Sequence, residues 1–235
     1  MKILHRLINK INKIVLPIEN CAICLCSCES QICNDCYGSL INQTPVTKCW
    51  KCQIIKSPSE ITCKNCIENN FVFDKLVTAF DYISPLNHIL HKVKYENNLH
   101  YINLLSTLFY KRIIQQVTHL PDVIITIPLH PNKQNLRGFN QVDELSNAFL
   151  KHHPEVKKIR ASRVKETTPQ ATLNRYSRIT NMHGAFEINE NLYNKSVAII
   201  DDVVTSGSTI NEMARLCKKL GANKVEVWCL MRAQN

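Results

Sequence analysis

Glycine is scarce in this chain, which has only five among its 235 residues. Nucleotide-binding motifs need clustered glycines, because a backbone without side chains can close on a phosphate. The spacing here excludes both the G-x-G-x-x-G fingerprint and the Walker A loop. The five glycines are Gly38, Gly138, Gly184, Gly207 and Gly221.

Long hydrophobic runs are missing as well. No stretch approaches the ~18 consecutive apolar residues that a membrane-spanning helix needs. Charged side chains and histidine interrupt residues 1–13, which therefore do not resemble a secretory signal. We expect a cytoplasmic protein without stable membrane insertion. The helical spacing of apolar residues in 1–16 favours a helix that packs on the protein and ends at Pro17 over a helix on a membrane surface.

Basic residues outnumber acidic ones, which gives a net charge of +10. Such a charge indicates an acidic partner, either nucleic acid or a phosphorylated ligand. Between residues 151 and 178, eight lysines and arginines stand against two glutamates. This basic stretch could contact pyrophosphate, bind single-stranded DNA or simply be solvated, and the sequence alone favours solvation.

Cysteine, in contrast, is abundant, and ten of the twelve cysteines precede residue 67. Thiols stay reduced in the cytoplasm, so clustered cysteines indicate metal binding rather than disulfides. Four thiolates with no open position are typical of structural zinc. Four C-x-x-C pairs therefore predict two zinc ions, with the ligands Cys21, Cys24, Cys33, Cys36, Cys49, Cys52, Cys63 and Cys66.

The pairing of these cysteines is open. Sequential pairing assigns the first four ligands to one ion and the last four to the other, but the spacing also allows an interleaved arrangement. Cys26 and Cys28 lie close to the first pairs, so either could replace a ligand or remain free. Cys217 and Cys229 fall on the apolar face of a predicted helix and in a predicted strand, where we expect them to play no part.

The rest of the chain alternates between strand-like and helical patterns. Apolar runs predict strands at 71–80, 122–128, 197–201 and 224–230, alternation predicts one at 156–164, and apolar periodicity predicts helices near 85–94, 99–117, 141–151 and 209–220. This order is typical of an α/β fold with a parallel sheet flanked by helices. We place a domain boundary near residue 70, with a helix and a double zinc ribbon in 1–70 and the sheet in 71–235.

The stretch 197–209 carries the chemistry. Four apolar residues lead into Asp201 and Asp202, and a loop rich in hydroxyl groups then runs into a helix. Free amides at a helix N-terminus attract anions, and Gly207 lets the backbone approach a phosphate. The two carboxylates suit the neighbouring hydroxyls of a sugar, either directly or through a cation.

The helix after this loop has signals at both ends. Thr209 and Glu212 fit the S/T-x-x-E capping box, which predicts the start of the helix. Gly221 stands where a C-terminal cap belongs.

A second polar loop follows the strand predicted at 122–128. It contains His130 and Lys133 and leads to Arg-Gly-Phe-Asn-Gln at 137–141. Ligands of open α/β sheets bind at the carboxyl ends of the strands. We therefore expect this loop to lie close to Asp201 and Asp202.

The stretch 197–209 resembles the phosphoribosyl pyrophosphate (PRPP) motif of the type I phosphoribosyltransferases. With the C-x-x-C pairs before it and 137–141 between them, nearly the whole chain is similar to the ComF family, which joins an N-terminal zinc ribbon to a phosphoribosyltransferase domain. The resemblance implies that Asp201 and Asp202, as the catalytic pair, hold the ribose hydroxyls of PRPP bound with Mg²⁺. It also implies a 5-phosphate loop of Val203, Val204, Thr205, Ser206, Gly207, Ser208 and Thr209, PRPP contact by Arg137, and pyrophosphate candidates Lys133, Lys165 and Arg175.

Two functional hypotheses follow. As a binding module, the chain is a competence protein for DNA uptake in natural transformation that binds PRPP and single-stranded DNA and works with proteins of the competence machinery. As an enzyme, it transfers phosphoribose to an acceptor that the sequence does not identify. The family resemblance favours the competence role, and the intact motif favours retained PRPP binding.

Overall fold

A computed structural model describes residues 19–42, 46–96, 98, 100–129, 138–164 and 184–234. The helix predicted at 1–16 lies outside the described residues. The chain divides into two compact units, Met1–Pro45 and Val46–Asn235. The last four predicted zinc ligands belong to the second unit, and the domain boundary near residue 70 stays a prediction.

The described part of the first unit has one short pair of strands and one helix. β1 (Glu19–Asn20) pairs antiparallel with β2 (Ser27–Cys28), and α1 (Asn34–Ile41) follows. Cys33 is the N-cap residue of α1, and its thiol accepts a hydrogen bond from the amide of Cys36 at 3.4 Å. The start of α1 therefore fixes one of the predicted zinc ligands.

The second unit is built on a parallel sheet. Its elements, in chain order, are α2 (Lys64–Asn69), β3 (Lys75–Asp81), α3 (Leu86–Tyr95), α4 (His100–Ile114), β4 (Val123–Thr126), α5 (Gln141–His152), β5 (Lys157–Ile159), β6 (Ser162–Arg163), β7 (Phe186–Glu187), β8 (Ser196–Val204), α6 (Ser208–Lys219) and β9 (Lys224–Arg232). Five strands lie in the order β3-β9-β8-β4-β5, and each neighbouring pair is parallel. Strands β6 and β7 form a separate antiparallel pair. The predicted α/β fold, with helices flanking a parallel sheet, is confirmed.

Apolar side chains cover both faces of the sheet. On one face, Ile199 of β8 and Val227 of β9 share a buried core with Met213 of α6. On the other face, the Trp228 ring of β9 lies 5.0 Å from the Phe149 ring of α5. Burial on both faces explains why β8 is continuously apolar up to its acidic end. No helix in the described ranges is long and apolar enough to cross a membrane.

The start of α6 differs from the sequence prediction. The prediction of a capping box at Thr209 and Glu212 is wrong, because Gly207 is the N-cap residue and no side chain caps the helix. The Glu212 carboxylate instead accepts a hydrogen bond from the amide of Gly184 at 2.8 Å. A left-handed glycine, with φ of +83°, turns the chain into the helix before Thr209 is reached.

The end of α6 is as predicted. Gly221 has a φ of +92°, in the left-handed region that favours glycine. The amide of Gly221 donates to the Lys218 carbonyl at 3.0 Å, and the amide of Ala222 donates to the Cys217 carbonyl at 3.0 Å. These two bonds form a Schellman motif, which satisfies carbonyls that the helix leaves unpaired.

Candidate functional site

The carboxyl ends of β4 and β8 bring the two predicted loops together. Asp202, near the end of β8, is buried, and its Oδ2 accepts a hydrogen bond from Nε2 of Gln141 at the start of α5. Asn140 caps α5 by accepting a hydrogen bond from the Val142 amide at 3.2 Å. Its Nδ2 donates to the carbonyl of Ile127, just after β4, at 3.2 Å. The end of the second loop is thereby fixed beside the acidic pair.

A third element reaches the same carboxylate. Lys94, in the last turn of α3, places its Nζ 2.8 Å from Oδ2 of Asp202. The ammonium offsets the cost of burying the carboxylate, so this ion pair favours a charged Asp202. Nothing in the sequence points to Lys94, because basic residues are common in the last turn of a helix and no local feature distinguishes this one.

The pKa values of the two neighbouring carboxyl groups shift in opposite directions. Burial and the charge of Asp202 raise the pKa of Asp201 to about 8. Burial also acts to raise the pKa of Asp202, but the Lys94 ammonium and the Gln141 amide outweigh it and lower that pKa. Near neutral pH the pair therefore offers one carboxylate and one protonated carboxyl group. Together they can accept a hydrogen bond from one hydroxyl of a sugar and donate to another.

The 203–209 loop consists of the last two residues of β8, the connection 205–207 and the first two residues of α6, and Gly207 is essential to its path. Its φ of +83° is one that other residues rarely adopt. A Cβ at this position would lie 2.8 Å from Cε1 of Phe71, closer than real contacts allow. Beside it, the hydroxyl oxygens of Ser206 and Ser208 lie 3.0 Å apart. The loop therefore presents hydroxyl groups at the N-terminus of a 12-residue helix, an arrangement that suits a phosphate.

The proposed pyrophosphate contacts stay predictions. Arg137, Lys133, Lys165 and Arg175 all lie outside the described residues. In the described part of the basic stretch, Lys157 pairs with Glu190, and Nζ of Lys158 lies 2.8 Å from Oδ1 of Asp143. Carboxylates partly neutralise these two lysines, so they contribute less to an anion site than their number in the sequence indicates.

The remaining candidates are thiols, which form two groups. Sulfur atoms of Cys21, Cys24, Cys26 and Cys33 converge in the first unit and form the first cluster. Those of Cys49, Cys52, Cys63 and Cys66 converge in the second unit and form the second cluster. The grouping follows the order of the chain rather than the interleaved alternative.

The distances within the second cluster suit zinc. Sγ of Cys49 lies 3.7 Å from Sγ of Cys66, and Sγ of Cys52 lies 3.6 Å from Sγ of Cys63. A tetrahedral site with Zn–S bonds of about 2.3 Å has sulfur atoms about 3.8 Å apart. Disulfide sulfurs would be much closer, at about 2.05 Å. The second cluster could therefore hold a zinc ion.

The first cluster differs from the predicted ligand set. Cys26 takes part in the close group, with its Sγ 3.3 Å from that of Cys24. Cys36 lies beside the group, and its role as a ligand stays a prediction. Amides of Ile23 and Cys33 donate to Sγ of Cys21 at 3.5 Å each. Although burial acts to raise the pKa of Cys21, backbone amides outweigh it and lower that pKa to about 6, which favours a metal-binding thiolate.

Comparison with known proteins identifies the family. A family model described as "Phosphoribosyl transferase domain" matches residues 136–235. "DNA utilization protein YhgH" of Escherichia coli (strain K12) is 32% identical over 206 residues, which cover 86% of this chain and 90% of that protein. The chain belongs to the ComF family. "Competence protein F" of Haemophilus influenzae is 36% identical, with 73% of this chain and 78% of that protein covered, and "Competence protein ComFC" of Streptococcus pneumoniae is 25% identical, with 93% and 92% covered.

Membership of the ComF family confirms the resemblance found in the sequence. It also gives the acidic pair its context, because the matched phosphoribosyltransferase segment contains both Asp201 and Asp202. The second cluster, in contrast, precedes the matched residues. The role of each residue toward PRPP stays a prediction.

We predict two zinc ions per chain in this ComF protein when it is purified without chelators. Cys63→Ser should remove one ion, since it leaves only three thiolates in the second cluster. The double variant Cys21→Ser/Cys24→Ser should remove the other. Cys217→Ala, which changes a buried thiol outside both clusters, should retain both ions. Elemental analysis tests these counts, and less than about half a zinc ion per undamaged wild-type chain would contradict the prediction.

The acidic pair gives a second prediction, on stability against pH. The pKa of Asp201 is raised from 3.8 to about 8 in the folded chain, so its contribution to stability is fully present below 3.8 and is lost as pH rises from there to about 8. Asp201→Asn should therefore raise the melting temperature more at pH 9 than at pH 5. Asp202→Asn should lower it at pH 7, since Lys94 loses its partner. Equal pH profiles for the two unliganded variants would contradict the assignment.

Proposed function

We propose that this ComF protein is a cytoplasmic competence protein that acts in DNA uptake by binding PRPP with Mg²⁺ and single-stranded DNA. One observation carries the PRPP part. Lys94 and Gln141 hold Asp202 at the end of β8, next to a hydroxyl-rich loop that enters α6. Such a site offers hydroxyl recognition and phosphate recognition side by side, as a phosphorylated ribose requires.

Magnesium fits the chemistry of the acidic pair, because carboxylate oxygens are ligands that Mg²⁺ prefers and a cation beside Asp201 would favour its deprotonated form. In this proposal Asp201 and Asp202 would hold the ion that PRPP carries, which would supply charge neutralisation on the pyrophosphate. The chain itself supplies the remaining contacts. The amides and hydroxyls of the 203–209 loop bind the 5-phosphate, and Lys94 holds Asp202 toward the ribose.

The DNA part of the proposal is supported by the charge of +10 and by relatives named for competence and DNA utilisation. Lys157 and Lys158 are paired, but Lys151 and Arg160 are exposed on the same part of the chain. We propose that these two contact phosphates of a single strand, with proteins of the competence machinery as further partners. Binding of this kind is dominated by charge and has little sequence preference.

An active phosphoribosyltransferase is the second candidate. It is favoured by the match of residues 136–235 to a phosphoribosyltransferase domain, with the acidic pair intact. The reaction would break the bond between the anomeric carbon and pyrophosphate and form one to an acceptor. Release of pyrophosphate from PRPP, measured with and without single-stranded DNA, separates this candidate from a binding role.

The test of PRPP binding is calorimetry in the presence of Mg²⁺. The double variant Asp201→Asn/Asp202→Asn should bind more weakly than wild type, because the ribose hydroxyls lose charged acceptors. Thr205→Ala or Ser206→Ala should each cost roughly 0.5–1.5 kcal/mol, since backbone amides remain. Asp122→Asn, at the opposite end of β4, is the matched control and should bind normally. Equal affinities for wild type and the double variant would rule out this site.

The test of DNA binding is its salt dependence. Binding to labelled oligothymidylate should weaken steeply as salt rises, with a log–log slope of about −0.7 per phosphate contacted. Lys151→Glu/Arg160→Glu should flatten this slope by about 1.4, which corresponds to two lost contacts. Lys195→Glu/Lys219→Glu makes the same change in net charge at two other exposed lysines and should leave the slope near that of wild type.

Two outcomes would count against the DNA proposal. If the control pair flattens the slope as much as Lys151→Glu/Arg160→Glu, only net charge matters and these residues form no binding surface. If wild type shows no salt-sensitive binding, the DNA-binding module has no physical basis and the enzyme becomes the leading function.

A further inference from the structure

Arg232 joins the second cluster to the 203–209 loop. It lies at the end of β9 with only 1% of its surface exposed. Its Nε donates to the carbonyl of Cys52, a member of the second cluster, at 3.0 Å. Its Nη1 donates to the carbonyl of Val204 at 2.8 Å and also to that of Thr205. One guanidinium thus holds the knuckle that contains Cys49 and Cys52 at a fixed separation from the start of the 203–209 loop.

The charge of Arg232 makes this link between the second cluster and the 203–209 loop depend on metal in the cluster. Burying a guanidinium is costly unless both its donors and its charge are satisfied. Its hydrogen-bond partners here are neutral carbonyls. Burial lowers the pKa of the guanidinium, and ionised sulfurs of Cys229 and of the cluster members Cys52, Cys63 and Cys66 would act to raise it. Four thiolates around one Zn²⁺ carry a net negative charge, which four protonated thiols do not. A loaded second cluster therefore supplies a counter-charge for Arg232.

A second link joins the same region to the other end of the loop. Asn211, in the first turn of α6, is buried, and its Oδ1 accepts a hydrogen bond from the amide of Val72 at 2.8 Å. Its Nδ2 lies 3.4 Å from the carbonyl oxygen of Asn69, at the end of α2. The ring of Phe71 lies against Gly207, which leaves no room for a Cβ there. The segment 69–72 is thus packed on the loop and on the helix that follows it.

A metal ion in the second cluster would connect the contacts made by Arg232 with those made by Asn211. Arg232 contacts the knuckle that contains Cys49 and Cys52, whereas Asn211 contacts the segment after Cys66. The close thiol pairs, Cys49 with Cys66 and Cys52 with Cys63, connect the two. One ion with ligands from both segments would hold them together, so the separation of these segments would depend on the metal.

We propose that the second cluster, when it holds its metal, fixes the conformation of the 203–209 loop through Arg232 and Asn211, so that PRPP binding depends on metal at this cluster. Both side chains are positioning residues, since each acts on the backbone around the loop rather than on the ligand. The inference rests on the proposed function for its ligand. The coupling between cluster and loop is a property of the chain itself and can be measured without PRPP.

The experiment combines zinc analysis, hydrogen exchange of the loop amides and PRPP calorimetry on the full-length protein. Cys63→Ser should lose one zinc ion, speed exchange in residues 203–209 and weaken PRPP binding by about tenfold or more, the effect of losing one hydrogen bond to a charged group. The matched control is Cys21→Ser/Cys24→Ser in the first cluster. It should also lose one zinc ion but keep wild-type exchange and affinity.

Arg232→Lys separates positioning from folding. It keeps the charge, but an ammonium lacks the planar fork that donates to Cys52 and Val204 together. The variant should retain two zinc ions and protected amides in β4 and α5, with faster exchange confined to the 203–209 loop and weaker PRPP binding. Asn211→Ala should change the loop in the same direction without loss of zinc.

Each outcome decides between the alternatives. Wild-type loop exchange in a folded Cys63→Ser variant that has lost a zinc ion would overturn the dependence on metal, and wild-type loop exchange in Arg232→Lys would overturn the role of Arg232. If Cys63→Ser loses protection throughout the second unit, that variant has unfolded, and loop exchange of wild type during stepwise removal of zinc with a chelator decides instead. If wild type fails to bind PRPP while Cys63→Ser and Arg232→Lys still loosen the loop, the proposed function fails and the coupling stands.

Discussion

Burial of β8 on both faces is the constraint on which the site depends. A strand in the middle of a parallel sheet, covered by helices on either side, must be apolar for as long as it is covered. Its first carboxyl groups, Asp201 and Asp202, stand where β8 runs past its last pairing with β4 at Ile200, and the buried Asp202 has Lys94 as a partner for its charge. Because its neighbour β4 runs parallel, the loop after β4 ends at the same edge and brings Gln141 to Asp202. The meeting of these residues thus follows from the topology.

The site gives its two adjacent carboxyl groups different states through the elements around them. Lys94 comes from a helix before β4, and Gln141 from one after it, yet both contact Oδ2 of Asp202. Lys94 also acts to lower the pKa of Asp201, but burial and the charged neighbour outweigh it and favour the protonated form of Asp201. A ligand with two hydroxyl groups therefore meets one acceptor and one donor. Binding and catalysis share this requirement, which is why the geometry of the acidic pair alone does not separate the two functional hypotheses.

The sequence was most informative where the physics is local. Runs of apolar residues predicted β3, β4, β8 and β9, and Gly221 predicted the end of α6. C-x-x-C spacing predicted the second thiol cluster and three of the four members of the first. It failed where distant segments decide the outcome. The capping box at Thr209 matched a pattern that Gly207 overrides, and Lys94 and Arg232 looked like ordinary basic residues until the fold gave them partners.

The two thiol clusters belong to different parts of the molecule and therefore differ in what they support. Cys49 and Cys52 are buried in the core that also contains Met213 of α6, so metal at the second cluster would stabilise the sheet domain itself. This arrangement argues against treating all eight predicted ligands as one appended DNA-binding ribbon. If the chain binds both PRPP and DNA, the second cluster serves to stabilise the fold around the 203–209 loop. Contact with a single strand then falls to the first unit or to exposed basic residues, and the two ligands need not compete for one surface.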